Sequence, residues 1–527
     1  MIALRRAVSA LTLTDVLCFA LVVWGVFAWQ AGILHGGFDH DEFEHTHAIW
    51  LISHGRRPFY DFFECHPPFL WYPLVPLVRL VGDRYAILFV LRFLTALGHL
   101  AFFVALARNV SLSLDRLAGQ RTSRAELARL FVPGLLVLAA HPAVLLYLLE
   151  FRMDSWPNAL LLSAIYRYRA SPRDPLRSSA ELGFLATIAV ACSPKLLVFA
   201  AAFIGLDQVS RAGAEASPPA RTGPIADLRV RRLAGLAAGG IAAALSLLLI
   251  LLALRLDPRV VFRLVIGYQA QFNEHAGFGH GLAQSIWEKR VLLAIVVASA
   301  VAFVAHVKGR LRSHPFESAI IVFLGVQLLL VRFANKQYYG PWFLMATGLT
   351  PHLIALAGRV RLLRPLVIAA AIVYGAFNLF DDHQQYAHQG RAAAEIALRQ
   401  RLLELSPPGG SVVVSMERHP LFRFDTLYHV VSSSGPSGYG TNQIMTTMNL
   451  APFSARFSPE FYQRELEEMP PDLIVLKGWF TPGQRQGIEA FLARHAGDYR
   501  RVDTPLGPTL VRQALTRPAG GQISPPG

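Results

Sequence analysis

Acids and histidines crowd one short stretch of this chain. It reads Asp39-His40-Asp41-Glu42-Phe43-Glu44-His45-Thr46-His47 and runs on through Asp61, Glu64 and His66 to Pro67-Pro68. Asp41 and Glu42 follow directly on an apolar run, where a membrane segment would meet water. A carboxylate at the mouth of a partly apolar cavity can have a raised pKa. It can then take a proton from a hydroxyl or amine, the task of a general base. Neighbouring residues on a helix point about 100° apart, so Asp41 and Glu42 cannot face one reacting group together. One is expected to contact it and the other to orient or bind. The bland alternative is a solvated loop with ordinary acids. The same stretch also offers oxygen and nitrogen ligands for a divalent metal, from Asp39 and Asp41 with His35, His45, His47 and His66. That spacing matches no strong signature, and His45 and His47 lack the i, i+4 spacing of helical zinc sites.

The elements that must hold these residues are membrane helices. The 527-residue chain is 53% hydrophobic and only 16% charged, with mean hydropathy +0.39. Apolar runs of about 18 to 25 residues recur, each long enough to span a bilayer. The formal charge of +15 invites a nucleic-acid reading. The arginines argue against it, because they cluster in short loops between apolar runs, as cytoplasmic loops do. Cys18, Cys65 and Cys192 are scattered and indicate neither a disulfide framework nor a thiolate metal site. The first apolar run lacks a clear cleavage site and is expected to be a retained helix.

Crossings are expected at 11–34, 85–107, 130–150, 156–168, 234–254, 290–306, 315–331, 341–357 and 365–380. Within 181–206, a broken or re-entrant pair around Ser193-Pro194-Lys195 keeps the flanking basic loops on one side. The fold class is therefore a polytopic α-helical membrane protein of about eleven crossings, with a cytoplasmic N-terminus. Two short elements, 41–54 and 69–81, are expected at the interface in the first outer loop, 35–84. Residues 381–516 turn ordinary in composition and suit a small α/β domain on the outer, periplasmic side, followed by a disordered tail at 517–527. Isolated histidines such as His99, His141 and His306 suit structural roles.

The first-loop pattern of Asp41-Glu42, then Gly55, Asp61 and Pro67-Pro68, resembles the GT-C glycosyltransferases. Its nearest branch is that of the protein O-mannosyltransferases and the lipid A aminoarabinose transferase. The resemblance implies that Asp41 is the catalytic base. It aligns Arg92 with an arginine of the second helix, Asp154 with an acid opening the second outer loop, and Lys195 with a lysine after the fifth segment. It also aligns Tyr338-Tyr339-Gly340-Pro341 with an aromatic-proline helix entry. His66 stands where that family often has a basic residue before Pro-Pro. The implied donor is a sugar on a polyprenyl phosphate, whose phosphate would find Arg152, Lys195, Arg332 and Lys336 at the outer interface. Asp61, His66, Arg92, Tyr338 and Tyr339 complete the implied binding set. The implied acceptor is a glycolipid, glycan or protein, the implied outcome is inversion, and the implied location is a bacterial inner membrane. No cofactor is required by this scheme, though Asp39 and Asp41 leave a divalent metal open.

A lipid or sugar transporter is the competing class. Transporters often carry broken helices at corresponding positions of two repeated halves. Here the break at Pro194 has no counterpart, and the acids sit in an outer loop rather than at the midplane. A non-catalytic envelope scaffold would leave the first loop without a purpose.

Overall fold

Among the described residues the membrane-length apolar runs become helix, and polar flanks often extend the helices beyond the runs. In the computed structural model, the described residues are 13–171, 174–215, 224–267, 270, 286–287, 289–308, 310–331, 336–360, 362–415, 418–428, 458–478, 480 and 482–513. They form two units. The first comprises residues 1–42, 66–73 and 84–392, the second 43–65, 74–83 and 393–527.

The first unit is helical. Its helices begin with α1 (Leu13–His35) and the opening turn of α2 (His40–Ser53). After α3 (Val75–Val81), which belongs to the second unit, come α4 (Ala86–Ala118), α5 (Arg124–Ala139), α6 (Pro142–Leu149) and α7 (Ser155–Ala170). Then follow α8 (Pro175–Cys192), α9 (Leu197–Glu215), α10 (Pro224–Ala253), α11 (Pro258–Phe262), α12 (Arg290–His306) and α13 (Pro315–Leu330). The series closes with α14 (Lys336–Ala346), α15 (Thr350–Ala357) and α16 (Leu363–Gln389). Among the described residues, four helical spans are long and apolar enough to cross a bilayer: Asp15–His35, Ala86–Ala118, Leu228–Ala253 and Leu363–Asp381. Their outward faces carry exposed Phe19, Phe93, Leu249 and Phe377, the surface that lipid tails would cover.

Three expected segments take a different form. The run 130–150 is two helices, because Pro142 interrupts the ladder and starts α6 afresh. The run 341–357 is likewise split into α14 and α15. The stretch 181–206 is broken at Pro194 as expected, but its two segments are longer than the apolar run. Polar flanks lengthen it into α8 and α9, of 18 and 19 residues, each about 27 to 29 Å long at 1.5 Å per residue. The two separate at the Pro194–Leu196 turn, where α8 packs on α7 and α10 while α9 packs on α13. The α8–α10 contact is backbone on backbone. A Cβ on Gly239 would lie 2.0 Å from the Ala180 carbonyl oxygen, and one on Gly235 would lie 2.5 Å from that of Leu176. This Gly-x-x-x-Gly pair lets the helices touch as membrane helices do.

The second unit is built on a five-stranded sheet in the order β2-β1-β3-β5-β4. Its strands are β1 (Ser411–Val413), β2 (Phe424–Asp425), β3 (Leu473–Val475), β4 (Tyr499–Thr504) and β5 (Gly507–Arg512). β1 pairs in parallel with β2 and β3, and β5 joins antiparallel to β3 and β4. The two-residue side-chain period divides the apolar residues between the faces. Val413 and Ile474 pack under α18 (Pro459–Glu468) and α19 (Pro482–His495) through Tyr462, Leu466, Ile488 and Phe491. Val412, Val414, Leu473 and Val475 pack with Leu402 of α17 (Arg391–Leu405).

The later turns of α2 are part of this unit and are buried rather than half-exposed at an interface. Trp50 lies 5.1 Å from Phe424, and Arg399 sits 3.5 Å over the Phe43 ring. His47 joins a buried cluster. Its Nδ1 lies 2.7 Å from the Leu421 carbonyl and its Nε2 2.7 Å from Asp425 Oδ2. His419 Nε2 is 2.9 Å from the other Asp425 oxygen. Burial pushes the His419 imidazole down to about 4. Burial also works to raise the Asp425 carboxyl, but His47 and His419 hold it well below the usual carboxylate range.

Both shifts make acid destabilising. His419, neutral when folded, takes up a proton on unfolding below about pH 6.5. The Asp425 contribution is complete above about pH 4 and fades as pH falls through its depressed folded value. Hydrogen exchange over 411–428, corrected for intrinsic rates, should therefore show protection falling by about 1–3 kcal/mol between pH 7 and pH 4.5. Unchanged protection would remove His419 as a buried neutral group.

Candidate active site

The first turn of α2 is a reciprocal cap. The Asp41 backbone N–H donates to Asp39 Oδ1 at 3.1 Å, and the Asp39 N–H donates to Glu42 Oε2 at 2.9 Å. Acids here also face the positive end of the helix. Glu42 is fully buried and holds more than the cap. Arg92 of α4 donates to both its oxygens, Nε to Oε1 and Nη2 to Oε2, each at 2.7 Å. The Phe151 N–H donates to Oε1 at 2.8 Å. The same guanidinium donates to carbonyls at the end of α1, Gly36 at 3.0 Å and Gly37 at 2.6 Å, and lies 4.0 Å over the Phe38 ring. Arg92 and Glu42 thus lock the end of α1, the start of α2 and the 150–154 loop together.

Asp41 stands one residue away and faces a different partner. Its Oδ2 accepts from Arg152 Nη1, and its Oδ1 lies 2.8 Å from Nε2 of the partly exposed His40. Arg152 also donates to Glu150 Oε2 at 2.7 Å and reaches Asp39 Oδ1 at 3.3 Å. Burial of Arg152 opposes its charge, but these acids reverse the effect and raise its pKa well above the ordinary value.

Two residues further on, Asp154 caps α7 and meets the Pro194 break. Its Oδ1 accepts from Ser193 Oγ at 2.7 Å and its Oδ2 from Lys195 Nζ at 2.8 Å. Burial pushes the Asp154 carboxyl up, and Lys195 and Ser193 more than offset it, holding it below the ordinary carboxylate value. Asp154 and Lys195 line a cavity of about 10 Å³ with Asn158, Gln327, Pro341 and Met345, room for one water.

The structure therefore brings Asp41, Glu42, Arg92, Arg152, Asp154 and Lys195 into the first unit as two linked clusters. Tyr339 lies with its ring 4.2 Å from Lys289 Nζ. His66 sits edge-on to Trp71, with ring centroids 6.5 Å apart. Asp61 belongs to the second unit, where its Oδ2 accepts from the Arg57 backbone N–H at 2.7 Å. Arg332 and the side chains of Lys336 and Tyr338 fall outside the described residues. Sequence reasoning missed Glu150, Ser193, Asn158 and Gln327. Glu150 and Ser193 carried a signal, since each lies two residues from a cation already singled out. Asn158 and Gln327 lie inside helices and gave none. Asp39, His40 and Asp41 bring ligand atoms within 4.8 Å of one another. Those oxygens suit a hard divalent cation, yet Arg152 already faces both aspartates.

No protein-family model and no curated protein matches the sequence. Solved structures do match. ArnT from Cupriavidus metallidurans bound to undecaprenyl phosphate aligns with a TM-score of 0.59 at 12% identity, covering 94% of this chain and 98% of that one. The same protein in its apo state aligns with a TM-score of 0.56 at 11% identity, over 94% and 97% of the two chains. ArnT is the lipid A aminoarabinose transferase, in the branch that the first-loop motif resembles. The chain has the fold of the polytopic GT-C membrane glycosyltransferases.

Proposed function

We propose that the protein is a membrane glycosyltransferase that moves a sugar from a polyprenyl-phosphate donor to an acceptor at the periplasmic face of a bacterial inner membrane. The observation that supports this most is the pair of carboxylates, buried Asp41 and half-buried Asp154, each set against a cation at a helix end. The likeness to a fold solved with undecaprenyl phosphate agrees with a donor whose tail stays in lipid.

In this reading the acceptor O–H or N–H attacks the anomeric carbon. Its proton passes to Asp41 as the new glycosidic bond forms, and the bond from the anomeric carbon to the phosphate oxygen breaks. Polyprenyl phosphate leaves with the electron pair, and attack from the face opposite the phosphate inverts the centre. Arg152 orients the Asp41 carboxylate. His40, half in solvent and 2.8 Å from Asp41, carries the proton away. Lys195, which faces one acid where Arg152 faces three and is 31% exposed where Arg92 is 1%, binds the donor phosphate, and Asp154 positions its ammonium. Glu42 and Arg92 act by holding the loop. The acceptor is a glycolipid, a polysaccharide or a protein.

Lys195→Met tests the phosphate role. A charge-assisted hydrogen bond is worth about 1.5–3 kcal/mol, so kcat/KM for the lipid-linked donor should fall roughly 10- to 150-fold. The rise in KM should exceed the loss in kcat. A variant with wild-type KM would remove Lys195 from donor binding.

A further inference from the structure

A second cavity lies at the opposite end of the same helices. It measures about 530 Å³ and is lined by Arg116 near the end of α4, by Lys308 and Arg310 between α12 and α13, and by Arg359 after α15. His306, Ser313 and His314 complete its polar wall, and among the described residues no carboxylate lines it. Of the acids nearby, Glu317 is fully buried and close to Arg169, and Asp115, next to Arg116, accepts from the Thr122 backbone N–H. The wall is braced where His306 Nδ1 approaches His352 Nδ1 at 3.2 Å.

One helix measures its separation from the cluster of Glu42 and Arg92. α4 carries Arg92 near one end and Arg116 near the other, 24 residues or about 36 Å apart. That exceeds the roughly 30 Å hydrocarbon core.

Basic loops alone would satisfy the charge bias of a membrane protein. They would not need four cations from three separate chain segments around one open cavity with no acid among them. A cavity of this size is ligand-sized, and its charge selects an anion. Leu117 and Val307 line it, and exposed Val301 and Val304 on α12 lead away from it, a path for acyl chains. We propose that this cavity binds a phosphate group, supplied by an anionic lipid headgroup or by free phosphate, on the membrane face opposite the Asp41 site.

The test uses the full chain in phosphatidylcholine nanodiscs. One arm adds inorganic phosphate against an ionic-strength-matched chloride control. The other includes phosphatidylglycerol and counts lipid retained by native mass spectrometry. A rise in melting temperature with phosphate, together with retention of phosphatidylglycerol, supports a phosphate site open to both sources. Retention alone supports a lipid site. A juxtamembrane cation contributes about fivefold in affinity, so Arg116→Gln/Arg310→Gln/Arg359→Gln should weaken binding roughly 100-fold, shifting the concentration dependence of either signal by that factor. Arg124→Gln/Arg229→Gln, which removes exposed charge elsewhere, should leave it unchanged. No response in either arm overturns the proposal, as does a triple variant that binds like the wild type.

Discussion

Asp41→Asn is expected to lower sugar transfer about 10²- to 10⁴-fold, the usual contribution of a general base, with little loss of folded protein. The amide cannot accept the acceptor's proton, but its size and its oxygen are kept. Arg152 would not be stranded, because Glu150 still accepts from it at 2.7 Å and Asp39 lies at 3.3 Å. Removing one of three carboxylates therefore leaves the buried guanidinium compensated. This asymmetry separates chemistry from stability. The melting temperature should stay close to wild type while kcat collapses and donor KM changes little. An Asp41→Asn protein with near-normal kcat would move the base elsewhere, Asp154 being the next carboxylate at the same mouth.

Glu42→Ala is expected to do the reverse. It strands Arg92, which is 1% exposed, and takes the acceptor from the Phe151 and Asp39 backbone N–H groups. Breaking a buried ion pair by deleting one partner costs about 3–5 kcal/mol, a large part of the roughly 5–15 kcal/mol that holds a typical domain. The yield of folded protein and its melting temperature should fall together. Glu42→Gln, which keeps an acceptor, should recover part of both. A Glu42→Ala protein of wild-type stability but without activity would place Glu42 in the chemistry. The two neighbouring acids thus make opposite predictions, as their roughly 100° separation on α2 requires.

What the sequence made legible followed from local rules. Apolar runs located α12 and α13 to within a residue. The first-loop acids stood out because charge at a helix end beside an apolar run is costly unless used. Pro194 announced a break with Lys195 beside it. Partnerships across the chain were not legible. Glu42 and Arg92 are 50 residues apart, and Asp41 and Arg152 are 111 apart. No periodicity encodes a pairing that only packing creates. The His47–Asp425 contact spans 378 residues, so the sequence offered His47 only as a possible metal ligand of the first loop. The lengths of α8 and α9 were misjudged for a simpler reason. Hydropathy ends a helix where polarity begins, whereas backbone hydrogen bonding continues through Ser178, Ser179 and Gln208.

The most direct measurement of the central claim is turnover by the purified protein in nanodiscs against a panel of polyprenyl-phosphate sugars, with wild type and Asp41→Asn compared at equal folded concentration. The account predicts that at least one donor is consumed and polyprenyl phosphate released, with inversion at the anomeric carbon, and that Asp41→Asn abolishes this release while still binding the donor. If a donor binds and crosses the bilayer without losing its sugar, equally in both proteins, the protein is a transporter and the assignment of Asp41 is wrong.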